Sequence, residues 1–435
     1  MVPKQPGALA VLLLALLVAC LGRSNANMAP DPMLLEMQGI ARSEELSKEE
    51  KVRRLRQYLA KGVESTGVMR WIAQVDPPSA QALGIELFRN PRGSREEKLH
   101  VGKELLRIEA PGFIDEYAPF LVDAVLTGGE KEFMVERPMH RISAVGEYVF
   151  IASDFDGMSS KHFEKLKDNR VIPILVRCLG APDHVYPVDQ GDHIHGEPGK
   201  STGRNTQRQQ IPVALARLKA VEAIPALKQT LFTHHDYYGR YNAAYALGFL
   251  GDDAAAREVE AFLRQNEEKD HNRLIFFAFG KGLLERGDDR GVQFMSFRYS
   301  YYSDRDDISM ALYMARERLA VMKPVRSPKA EAFYREALER KSLSDLFLFD
   351  ETKVKVPDHL MRVTPDRKST VPVKTPAEAL DWGRDQIIAA YKDIAEGITA
   401  NRLKGLSGYL ATIGKNTKNE QIRAISEQAL RALGE

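Results

Sequence analysis

The chain has 435 residues, 44% hydrophobic and 28% charged, and its 62 basic and 60 acidic side chains leave a formal net charge of +2. That length holds two or three domains, or one array of repeats that grows along a single direction. The near-neutral balance lacks the clustered basic face that nucleic acid requires, so nucleic acid is not an expected partner.

Lys4 precedes the uncharged run from Ala8 to Ala19, which is rich in Leu and Val. This run is too short to span a bilayer as a mature helix but suits the apolar region of a secretory signal. It ends in Leu17-Val18-Ala19-Cys20, which resembles the lipobox of bacterial lipoproteins. The resemblance implies a signal peptide over 1–19, cleavage before Cys20 and a lipid on its thiol. Several acyl chains give stable anchoring where one does not. Leu21 follows the cysteine where an Asp would imply retention. By the same resemblance the chain would sit at the outer membrane, facing periplasm or outside. Ser24-Asn25-Ala26 also has the small-x-small form of an ordinary cleavage site and keeps that alternative open. Residues 20–33 read as a short polar tether.

From 34 to 139 apolar residues recur at helical spacing between short breaks, predicting a degenerate series of helical repeats. Ser47 and Glu50 have the spacing of a capping box, and Asp76-Pro77-Pro78 stops one helix and opens another over Ser79 to Phe88. Arg95 to Ile108 reads as a helix, and Pro119 to Leu126 as a further amphipathic segment.

Between 140 and 346 the wording begins to repeat. Pro212-Val-Ala-Leu-Ala-Arg-Leu218 is followed by Glu222-Ala-Ile-Pro-Ala-Leu-Lys-Gln-Thr-Leu231. Then come Asn242-Ala-Ala-Tyr-Ala-Leu-Gly-Phe-Leu-Gly-Asp252 and a helix from Ala254 to Leu263. Arg208, Arg240, Arg273 and Arg305 stand 32, 33 and 32 residues apart. A period near 33 with two helices per unit indicates an all-α fold, an α-solenoid of antiparallel helix pairs that share one core. These segments resemble the HEAT-repeat family, in its short bacterial, lyase-like form. That resemblance implies a binding scaffold, and only the repeat wording carries over, with no catalytic residue.

Arg141-Ile-Ser-Ala-Val-Gly146 resembles the helix start at Arg240, and Asn169 to Leu179 aligns with Ala220 to Leu231, Pro173 on Pro225 and Leu179 on Leu231. That offset is 52 residues, so about twenty exceed one repeat, and the polar composition of 181–205 places them in a long loop. Further repeats run over Ile308 to Leu319 and Lys329 to Leu338. Residues 347–376 form an irregular Pro-rich excursion with β-prone pieces Thr352–Val356 and Thr370–Val373. Residues 377–435 complete a helical cap, opened by Thr375-Pro-Ala-Glu378.

Three groups invite chemistry. The insertion holds Asp183, His184, Asp189, Asp192, His193, His195 and Glu197, and His234-His235-Asp236 occupies the equivalent turn one repeat later. Stacking would bring His193 or His195 toward His234 or His235, with Asp192, as imidazole and carboxylate ligands for a divalent metal. No established ligand spacing is present, and a solvated polar turn explains the same residues. Gly196-Glu-Pro-Gly-Lys-Ser-Thr202 is not a phosphate loop, because Ile194 stands where its first glycine belongs. Tyr237, Tyr238 and Arg240, with Tyr301 and Tyr302 at the matching turn 65 residues on, suit either a recognition ridge or rings that seal the seams between repeats. Cys178, on an apolar helix, reads as a small buried hydrophobe.

The expected function is an envelope-anchored, non-catalytic scaffold that binds a protein partner and needs no cofactor. The alternatives are a metal-binding protein or metal-dependent enzyme using the His/Asp loop, or a purely structural envelope component.

Overall fold

The computed structural model describes residues 32–134, 143–153, 160–180, 186–187, 202–203, 206–233, 237–266, 272–299, 308–356, 360–363 and 370–435. The chain divides at 211/212 into two compact units, and both are built from antiparallel helix pairs of the repeat type.

The first unit starts with α1 (Pro32–Arg42), α2 (Lys48–Ala60), α3 (Ser65–Val75), α4 (Pro77–Arg89), α5 (Arg95–Arg107) and α6 (Ile114–Ala124). It continues through α7 (Glu130–Met134), α8 (Ala144–Ser153), α9 (Ser160–Leu166) and α10 (Ile172–Leu179). Side-chain caps fix the starts. Ser47, Asp76 and Ser94 each accept from the backbone N–H three residues on, at 3.2, 3.2 and 3.1 Å. Each such cap stabilises its helix by about 1 kcal/mol. The segment expected to start at Pro119 instead begins at Ile114, with Pro119 inside the helix. Aromatic packing offsets the hydrogen bond that proline cannot donate. Phe88 meets Phe113 at 4.9 Å and Phe120 at 5.2 Å between ring centroids, and the Tyr117 hydroxyl donates to the Leu99 carbonyl at 3.2 Å.

The insertion is not wholly irregular: Tyr186–Pro187 (β1) pairs antiparallel with Thr202–Gly203 (β2). The helix α11 (Thr206–Arg217) then leads into the second unit, which holds α12 (Ile224–Thr233), α13 (Tyr237–Leu250), α14 (Asp253–Gln265) and α15 (Asn272–Glu285). It continues with α16 (Ile308–Met322), α17 (Ala330–Glu339) and α18 (Lys341–Phe347). Within the Pro-rich excursion, β3 (Met361–Val363) pairs with β4 (Thr370–Pro372). Thr352–Val356 is therefore not a strand, and Thr370 onward finds its partner elsewhere. The capping box at Thr375 and Glu378 opens the 25-residue helix α19 (Pro376–Ala400), followed by α20 (Ser407–Asn416) and α21 (Glu420–Leu433).

One turn recurs in both units and shows the repeat where the wording does not. Helices α2, α5, α11, α15 and α19 all end in a Schellman motif, with a left-handed residue at Gly62, Glu109, Lys219, Gly287 and Arg402. After it, the N–H of Val63, Ala110, Ala220, Asp288 and Leu403 returns to the carbonyl of Tyr58, Leu105, Leu215, Leu283 and Ile398 at 2.9–3.1 Å. The motif satisfies carbonyls that the helix end leaves open and reverses the chain. Only two of the five positions are glycine, and a side chain in this conformation costs about 1–2 kcal/mol. The second helix of a pair opens as a 3-10 turn at Asn169–Val171, Val221–Ala223 and Lys404–Leu406. Pro173 and Pro225 both follow such a turn as the second residue of the α-helix, where a missing N–H costs nothing.

Candidate functional site

Two of the four repeating arginines, Arg208 and Arg240, are structural, and Arg305 lies outside the described residues. Arg208 donates from Nε and Nη2 to the Leu179 carbonyl at 3.0 and 2.9 Å, and Arg240 donates from Nε to the Leu231 carbonyl at 3.0 Å. Leu179 and Leu231 are equivalent last-turn residues of α10 and α12, so each arginine caps the preceding helix from the start of the next. Arg240 is half-buried, and burial lowers its guanidinium pKa.

The tyrosines divide between the two roles that the sequence allows. Tyr299 is a seam residue: it is 1% exposed and stacks on Phe276 at 4.7 Å between centroids. Residues 237–241 are not the turn that their composition suggests, because α13 already begins at Tyr237. Helical spacing therefore places Tyr237, Tyr241, Tyr245 and Phe249 on one face, each four residues from the last. Tyr237 packs against Tyr241 at 6.1 Å, Tyr245 against Phe249 at 6.3 Å, and all four are half-buried. Tyr238 leans edge-on against Tyr237 at 5.2 Å and remains 53% exposed.

Two neighbouring helices complete this face with side chains that sequence reading did not select. From α15, Glu285 accepts the Tyr245 hydroxyl at 2.6 Å, and Lys281 lies 5.6 Å from the centroid of the same ring. From α16, the Tyr313 hydroxyl donates to Glu317 at 2.8 Å, leaving its ring 52% exposed. Burial first, then these carboxylates and neighbouring phenols, raise the pKa of Tyr237, Tyr241 and Tyr245 well above the ordinary phenol value. The phenols therefore stay neutral hydrogen-bonding groups at physiological pH.

Close backbone approach holds the face together. Among the described residues, α13 and α15 form the most extensive helix–helix contact. A Cβ on Gly282 would stand 2.1 Å from the Tyr245 carbonyl oxygen, and one on Gly248 would stand 2.3 Å from the Phe279 carbonyl oxygen. Only glycine fits at either crossing.

Beneath the face lies Arg318, which is fully buried. Its Nη2 donates to the Tyr299 carbonyl at 2.9 Å, and its guanidinium covers Phe277 at 4.7 Å. Burial pushes its pKa down to about 10, against the opposing pull of the Glu317 and Glu336 carboxylates.

Cys20, Asp192, His193, His195, His234, His235, Tyr301 and Tyr302 lie outside the described residues. Among the described residues, no three His, Cys, Asp or Glu side chains come together as a metal site. No described helix is long and apolar enough to cross a membrane. Cys178 is buried, and its thiol is pushed up to about 12, mainly by that burial.

Residues 239–265 match the family model described as the PBS lyase HEAT-like repeat. The match starts near the beginning of α13 and ends with α14, so it covers one helix pair and includes most of the tyrosine stripe. No curated protein matches the chain.

Proposed function

We propose that this HEAT-like repeat protein is a non-catalytic scaffold, held at the cell envelope by lipid on Cys20, that binds a protein partner through the tyrosine face of its second unit. Repeat arrays of this kind present broad surfaces on which shape and a few anchoring side chains carry recognition. The observation that carries the reading is the exposure of Tyr238 and Tyr313, at 53% and 52%, beside α13's half-buried rings. Large side chains with few rotors lose little freedom on binding, and tyrosine is over-represented among residues that dominate interfaces. The Tyr313 ring is held by its bond to Glu317, and Tyr238 rests against Tyr237, so both are oriented before a partner arrives. Glu285 and Lys281 beside Tyr245, with Glu317 beside Tyr313, give the same face charges of both signs, which suits a polar rim.

Purification from detergent extract of the native membrane tests the reading. A partner retained in stoichiometric amount by the wild-type chain should be lost from the Tyr238→Ala, Tyr313→Ala double variant. Retention by both would move the binding surface elsewhere, and no partner for either would remove the scaffold role.

A further inference from the structure

The described part of the first unit opens on a run of exposed apolar side chains. Among the described residues, the large apolar or aromatic side chains that remain exposed are Met33, Leu34, Leu35, Val221, Tyr238 and Tyr313. The first three are consecutive, 39%, 47% and 50% exposed, and form the opening turn of α1. On α1 only Met37 is buried, and its first turn carries no acidic residue. Glu36 is the nearest acidic side chain on the helix, and Lys61 lies 4.0 Å from it. Consecutive residues point in different directions around a helix, so these three surround its end instead of lining one side. Such an arrangement suits a fluid apolar medium that can enclose a tip, whereas a protein groove would take a stripe at i, i+3 and i+4.

We propose that Met33, Leu34 and Leu35 insert into the surface of the lipid bilayer and orient the first unit on it. The inference rests on the reading of Cys20 as the lipid carrier. Thirteen positions separate Cys20 from Met33, and at roughly 3.3–3.6 Å per extended residue the tip stays within about 45 Å of the anchor. Tethering at that range converts a weak apolar contact into an effectively intramolecular one. The lipid supplies attachment, and the tip supplies direction: α1 meets the membrane with its N-terminal end. Contact of this kind needs no sequence-specific partner and scales with the apolar area withdrawn from water.

The test uses the lipidated full chain in phosphatidylethanolamine–phosphatidylglycerol vesicles, some with brominated acyl chains. An environment-sensitive label is placed on Leu34→Cys and, as a solvent-exposed control, on Gln421→Cys. Insertion predicts a blue-shifted label at 34, quenched several-fold more by brominated lipid than the label at 421. In a Cys20→Ala chain, adding Leu34→Ser and Leu35→Ser should lower vesicle partitioning by at least about tenfold. Equal quenching at 34 and 421 on a chain that stays with the vesicles overturns the inference and leaves the lipid on Cys20 intact. A chain without lipid mass whose label at 34 is still quenched removes the anchor and supports the contact. Unquenched label with concentration-dependent dimerisation also overturns it, assigning the tip to a second copy of the chain.

Discussion

Replacing Gly282 by alanine tests the packing that positions the tyrosine face. The new methyl carbon would stand 2.1 Å from the Tyr245 carbonyl oxygen, 2.8 Å from the Phe249 nitrogen and 3.1 Å from the Gly248 carbonyl carbon. These are backbone atoms, so no side chain can rotate away. Reaching ordinary van der Waals separation requires α13 and α15 to part by roughly 1 Å, a gap that forfeits much of the dispersion energy between facing atoms. Leu247, Ala244, Phe279 and Leu283 lie in this region and are at most 1% exposed. Overpacking of this kind costs about 1–3 kcal/mol, and the separation also loosens the bond from Tyr245 to Glu285, worth about 1.5–3 kcal/mol because its acceptor is charged. Alanine's better helix propensity returns about 1 kcal/mol, leaving a net loss of roughly 1.5–5 kcal/mol. Gly39 is the control, since a Cβ there meets nothing within 4 Å, and Gly39→Ala should stabilise by up to about 1 kcal/mol. Urea unfolding followed by circular dichroism measures both. A Gly282→Ala protein as stable as wild type would refute the close-approach argument.

Lys219 occupies a left-handed position at φ 57° and is exposed. Lys219→Gly should therefore raise stability by about 1 kcal/mol in the same assay, and a loss would show that the lysine side chain contributes more than its strain costs. With its thiol pushed up to about 12, Cys178 should alkylate on the order of a thousandfold more slowly in the folded protein at pH 8 than in urea, as read by intact mass. Comparable rates would mean that α10 opens readily. Burial raises the Tyr334 and Tyr391 phenols to about 12. The unfolded chain thus releases these protons first as pH climbs past about 10, and the stability that they contribute below that pH is lost between about 10 and 12. The urea midpoint should fall across that window less steeply in a Tyr334→Phe, Tyr391→Phe protein.

The repeat was legible from the Ala-rich helices and the arginine register because both follow from short-range rules. Small residues let helices approach closely, and Arg208 and Arg240, one repeat apart, each cap the preceding helix. The shared turn was hidden for a physical reason. Glycine is the usual sign of a left-handed residue, yet Glu109, Lys219 and Arg402 adopt that conformation because the buried contacts on either side outweigh its strain. The start of α13 was obscured by the density of Tyr, Gly and Arg, although the four-residue spacing from Tyr237 to Phe249 was there to be read. Glu285, Tyr313 and Glu317 could not have been assigned to the face from sequence, since only tertiary packing brings three helices together. Arg318 is the extreme case: nothing in a helical arginine announces complete burial.

Site-specific photo-crosslinking in intact cells tests the scaffold reading most directly. A photoreactive phenylalanine at Tyr238 or Tyr313 should give one adduct of defined mass with both positions joined to the same partner. The same group at Arg257, exposed on α14, should give none. Adducts at all three positions alike, or at none, would contradict the tyrosine face as the binding surface.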